Sequence, residues 1–101
     1  MKLKWTEKAL ADVLGIYDYI VTQSAGYADV VCERVLSRPE QLIDHPHSGS
    51  VVPEYGREDI RELLVHSFRI IYRIVGSEAR ILTVVHGSRL LPREVPDEPE
   101  P

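Results

Sequence analysis

The stretch from Arg61 to Pro92, RELLVHSFRIIYRIVGSEARILTVVHGSRLLP, constrains the fold more than any other part of the chain. Its β-rich runs, Arg61 to Val65, Phe68 to Val75 and Ala79 to His86, are separated by His66-Ser67 and by Gly76-Ser77-Glu78. Connections that short join only antiparallel neighbours, so the stretch predicts a three-strand meander. Side chains alternate along a strand, which sorts Phe68, Ile70, Tyr72 and Ile74 onto one face and Arg69, Ile71, Arg73 and Val75 onto the other. The first set reads as core. The second carries two arginines, and His86 and Arg89 lie near the rim of the same sheet.

Ahead of the meander, Leu3 and Trp5 alternate with Lys2 and Lys4, the pattern of a short edge strand whose lysines discourage pairing with another molecule. Thr6 is a helix cap and Glu7 suits the positive end of the helix dipole. A helix is expected over about Glu7 to Gln23, with Leu10, Val13, Leu14, Tyr17, Ile20 and Val21 as its buried stripe. Gly15 reads as a place where a second helix comes close, and Ser24-Ala25-Gly26 as the break. The second helical pattern starts near Tyr27 and presents Ala28, Val31, Cys32, Val35, Leu36, Leu42 and Ile43. Pro39 interrupts it, since proline inside a helix costs about 3 kcal/mol, and a kink or two short helices result. Residues 45–56 read as a loop on Pro46, Gly49, Pro53 and Gly56.

At 101 residues the chain is one domain, expected over residues 1–93, and EVPDEPEP at 94–101 reads as an acidic disordered tail. No apolar run approaches the ~20 residues that span a bilayer, so a cytoplasmic protein without membrane contact is expected. The single Cys32 fits a reducing compartment and a place in the core. The formal charge is −4, distributed as −3 over residues 1–56, +3 over 57–93 and −4 over 94–101. A locally basic meander in an acidic chain suits an acidic partner segment rather than sequence-specific nucleic-acid binding. His45 and His47 form a His-x-His without companion ligands, so neither a metal nor a cofactor is expected.

The order of these pieces carries a resemblance. "RELLVHSFRIIYRI", a glycine turn and "ILTVVHGSRLLP" resemble the C-terminal half of the ParE branch of the RelE/ParE toxins; "WTEKALADVLGIYDYI" is similar to the first helix of that family, and "DHPHSGSVVPEYG" to its link from helix to sheet. The resemblance implies an α+β fold, a helical hairpin packed on a small, mainly antiparallel sheet in the order β-α-α-β-β-β. It implies a toxin neutralised by a cognate antitoxin whose disordered, acidic segment folds across it. ParE-like members bind DNA gyrase, whereas RelE-like members cleave mRNA on the ribosome.

For this chain the resemblance points to a gyrase inhibitor acting by binding, with no catalytic residue. Arg61, Arg69 and Arg73 are the expected antitoxin contacts, as guanidinium forks for carboxylates. His86, Arg89 and Arg93 are the expected target contacts. The alternative is an mRNA endonuclease in which Arg69 and Arg89 stabilise phosphorane charge and His86 moves the proton. Val51-Val52-Pro53-Glu54 and Leu90-Leu91-Pro92 stand where ribonuclease members carry basic and acid-base residues.

Overall fold

The computed structural model describes residues 1–96. Strand β1 (Lys2–Trp5) leads into helix α1 (Glu7–Val21) and helix α2 (Ala25–Ser37), which passes into a 3-10 helix (Arg38–Ile43). Strands β2 (Ser50–Val51), β3 (Ile60–Val65), β4 (Phe68–Val75) and β5 (Glu78–His86) follow. The sheet order is β1-β5-β4-β3-β2, with β1 parallel to β5 and the other pairs antiparallel. The expected α+β order is thus present, with one addition. The two residues of β2 lie within the segment read as loop, and a strand that short has no periodicity to reveal it.

Local chemistry explains the boundaries. Thr6 accepts the Ala9 N–H at 3.1 Å and donates its hydroxyl to the Ile81 carbonyl at 2.7 Å, so one side chain caps α1 and ties it to β5. Ser24, read from sequence as part of a break, instead caps α2 by accepting the Tyr27 N–H at 3.2 Å. The expected change at Pro39 is present: α2 ends at Ser37 and the proline opens the 3-10 turn. Both hairpins turn on two residues, His66-Ser67 and Gly76-Ser77, with φ of +52° at His66 and +58° at Gly76. His66 holds this costly conformation beside the edge of the Tyr27 ring, 6.2 Å between centroids.

The helices cover one sheet face. Ala9, Val13 and Ile20 of α1 and Ala28, Val31, Cys32 and Val35 of α2 pack with Leu63, Ile70, Tyr72, Ile81 and Val84. Burial, then the charge of Asp29, pushes the Cys32 thiol pKa up, as suits a core cysteine. Tyr72, read as core, is fully buried, and its hydroxyl is satisfied by backbone: it donates to Pro46 O at 2.7 Å and accepts Gly49 N–H at 3.0 Å. A Cβ on Gly49 would meet Glu62 O and Tyr72 Oη at 2.6 Å, so only glycine lets the chain pass there.

Two expectations fail on α1. Leu10 and Leu14 were expected in the buried stripe but are 44% and 66% exposed, while Ala9 and Ile16 take the inner positions. A Cβ on Gly15 would meet nothing within 4 Å, so that glycine permits no close helix approach. The larger correction concerns the other sheet face. Only the first face reads as core in the sequence, yet Val52, Ile60, Ile71, Leu82 and Leu91 form a second apolar cluster on this one, with Tyr55, Val85 and Val95 against it. Alternation assigned Ile71 to that face, but the cover comes from segments 52–60 and 91–95, distant in sequence. Of the expected tail, Val95 is half-buried and Pro96 buried, and residues 97–101 lie outside the described residues.

Candidate functional site

The residues proposed from sequence fall into three places. Arg69 stands on the outer sheet face, 7% exposed, between two carboxylates. It grips Glu54 with two nitrogens, Nη1 and Nη2, each at 2.8 Å, and Glu62 through Nε at 2.8 Å. Like charge on the carboxylates is tolerated because the guanidinium fork lies between them. Arg69 therefore stays charged with its pKa raised, chiefly by Glu54, and the Arg69 hydrogen bonds hold the Glu54 carboxyl down to about 2.

The sign of the resulting pH dependence follows. Glu54 is depressed in the folded chain from an ordinary value of 4.5, so its contribution to stability is complete above that value and is lost as pH falls towards about 2. Denaturant unfolding followed between pH 5 and pH 2 should show this loss. A Glu54→Gln variant, which has no such carboxyl, should show a shallower decline.

Arg61 and Arg73 are also engaged within the chain. Arg61 donates to Gly49 O at 2.9 Å and to Glu58 O at 2.9 Å, bracing the loop before β2. Arg73 donates through Nε to Asp59 at 2.9 Å, and Asp59 also receives Arg57 at 2.9 Å. Those arginines, Arg57 first, lower the Asp59 pKa. The three expected antitoxin contacts thus each hold neighbouring chain segments in place, and sequence alternation alone gave no sign of their acidic partners.

The expected target contacts are placed differently. His86, Arg89 and Arg93 are all exposed, and Leu90 between them is 83% exposed. His86 and Arg89 join Asp12, Gly15, Tyr19 and Phe68 around an open groove of about 620 Å³ between α1 and the end of β5. Gly15 opens the helix side of this groove, and Asp12 fastens the helix beside it. The Asp12 carboxylate accepts the Val84 N–H at 3.0 Å and the Thr83 hydroxyl, beside a register shift in the β4–β5 ladder.

His86 Nδ1 accepts the Ser88 N–H at 3.1 Å, with the Ser88 hydroxyl 2.7 Å away. In the neutral ring the proton consequently resides on Nε2, which is left as a donor. The Phe68 ring meets the imidazole edge-on at 5.7 Å between centroids. Phe68 pairs with His86 and Arg69 with Val85, so adjacent residues of β4 send His86 and Arg69 to opposite sheet faces. The groove gathers His86 and Arg89 without the Arg69 guanidinium.

Among the described residues no three His, Cys, Asp or Glu side chains gather as a metal site, and no helix is long and apolar enough to cross a membrane.

Residues 3–91 match the family described as the ParE toxin of the type II toxin-antitoxin system, parDE. The chain belongs to the ParE toxin family. The fold is similar to that in a solved structure of the chromosomal ParDE toxin-antitoxin system from P. aeruginosa, with a TM-score of 0.73 and 28% identity over 85% of this chain and 95% of that one. No curated protein sequence matches.

Proposed function

We propose that this toxin inhibits DNA gyrase by binding it through the segment His86–Arg93, and that a cognate antitoxin neutralises it in a shared bacterial cytoplasm. The observation that carries the reading is the build of that segment. Leu91 is buried as an anchor while His86, Arg89, Leu90 and Arg93 stand exposed around it. Two cations and an imidazole beside a bare leucine suit a protein surface that offers carboxylates next to an apolar pocket.

The antitoxin has a different landing surface. Leu10 and Leu14 lie one turn apart on α1, and Val30 and Leu36 on α2 are each 43% exposed. Leu10 and Leu14, left open at i, i+4 spacing, suit an amphipathic segment that folds as it binds. Arg61, Arg69 and Arg73 hold loop segments rather than the hairpin, and any carboxylate that an antitoxin offers them competes with Glu58, Glu54 and Asp59.

The nuclease alternative needs a proton carrier and a charge stabiliser on one phosphate. The sheet separates His86 from Arg69 and leaves Arg89 as the one charge stabiliser of that set in the groove with His86, a reduced constellation that supports binding over catalysis. His86→Ala tests the choice: a gyrase binder keeps at least part of its growth inhibition and cuts no ribosome-bound mRNA, whereas loss of toxicity together with loss of mRNA cleavage would establish the nuclease.

A further inference from the structure

After β5 the chain from Gly87 to Val95 lies as a strap over the second apolar cluster, pinned by Leu91 at 8% exposure and by the half-buried Val95. Its backbone is fastened to the loop before β3. Glu54 Oε2 accepts the Leu91 N–H at 3.3 Å, and the Tyr55 hydroxyl donates to Pro92 O at 2.8 Å, with Glu94 O at 3.4 Å. Glu54 is itself immobilised by the two-pronged grip of Arg69, which also approaches Arg89 O at 3.5 Å.

We infer that Glu54, oriented by Arg69, is a positioning residue that clasps the strap onto the sheet and so presents His86, Arg89 and Leu90 to the target. The part about presentation rests on the target role proposed above. The clasp itself rests on the hydrogen bonds alone. A carboxylate with one oxygen on Leu91 N–H and both on a guanidinium cannot swing away without breaking charge-assisted bonds, which are the strong class. The loop and the strap are therefore one mechanical unit, although 37 residues separate Glu54 from Leu91.

Glu62 supplies the control. It shares Arg69 with Glu54 but has no hydrogen bond to the strap among the described residues. In Glu54→Ala the guanidinium keeps Glu62, so its charge remains compensated and the sheet persists. In Glu62→Ala it keeps Glu54, and the clasp stays closed. A role limited to ion-pair stability predicts similar behaviour of the two variants. A positioning role separates them.

The test is amide hydrogen exchange on the full chain, followed by gyrase inhibition and antitoxin affinity for the same variants. Glu54→Ala should speed exchange about tenfold at Leu91, whose N–H Glu54 accepts, and at Arg89, whose N–H is held by His86 O, while β3, β4 and β5 keep their protection, the loss expected for one charge-assisted bond. Glu54→Gln, which retains an acceptor, should restore most of the protection, and Glu62→Ala should leave the strap as in the wild type. In step, the inhibitory concentration on gyrase rises about tenfold for Glu54→Ala only, with antitoxin affinity unchanged, because a uniform loss of fold would weaken both. Wild-type strap exchange in Glu54→Ala, or equal loosening in Glu54→Ala and Glu62→Ala, overturns the clasp. A wild-type chain that leaves gyrase untouched refutes the target reading instead, and the exchange comparison still decides the clasp.

Discussion

Arg69→Met should lower the stability of the domain by about 3–5 kcal/mol, because it strands the two carboxylates that its guanidinium holds. Glu54 and Glu62 have side chains 22% and 14% exposed, too sheltered for water to replace the guanidinium. Methionine fills part of the volume but offers none of the lost donors. For a chain of 101 residues this is a fall in Tm on the order of 20 °C. The result has an internal check. Adding Glu54→Gln and Glu62→Gln to Arg69→Met removes the stranded charges, and most of the lost stability should return, since a neutral site of similar volume is far less costly than a broken buried pair. Thermal unfolding of the single and triple variants decides it. A single variant as stable as the wild type would mean that the pair is as dispensable as an exposed one.

The second large effect is on association. Leu10→Asp combined with Leu14→Asp should weaken antitoxin binding by about 100-fold or more while leaving Tm nearly unchanged. At 44% and 66% exposure these side chains contribute little to the core, so stability has little to lose. On the proposed antitoxin surface they serve as apolar anchors, and a carboxylate at each position would repel an acidic partner as well as remove the anchor. Calorimetric titration of the variant with purified antitoxin supplies the comparison. Native affinity would remove the hairpin from the antitoxin interface and return attention to the sheet.

These two predictions also show where the sequence was readable. The meander was legible because connections of two and three residues leave little choice of topology, and the alternation of Ile70 and Tyr72 against Arg69 and Ile71 placed every one of them on its proper face. Thr6 and Pro39 announced themselves as cap and break through chemistry that acts within a few residues. What stayed hidden depends on contacts distant in sequence. Nothing near Arg69 reveals Glu54, 15 residues away, or that segments 52–60 and 91–95 would roof the arginine face. Leu10 and Leu14 satisfied the helical period as well as Ala9 and Ile16 did, and the larger side chains drew the buried stripe towards themselves. An apolar face that binds a partner and one that binds the core have the same period, so periodicity cannot separate them. The proposed target segment was placed by resemblance, and Leu90 and Leu91 were read there only as a departure from ribonuclease members, with no sign that one is buried and the other bare.

The measurement that bears most directly on the account is a supercoiling and cleavage assay on purified gyrase, run with the toxin alone, with Arg89→Glu, and after addition of the antitoxin. The account predicts inhibition with accumulation of cleaved DNA by the wild-type chain, its loss in Arg89→Glu at unchanged Tm, and its reversal by antitoxin. Gyrase that works undisturbed in the presence of folded, antitoxin-binding toxin would contradict it.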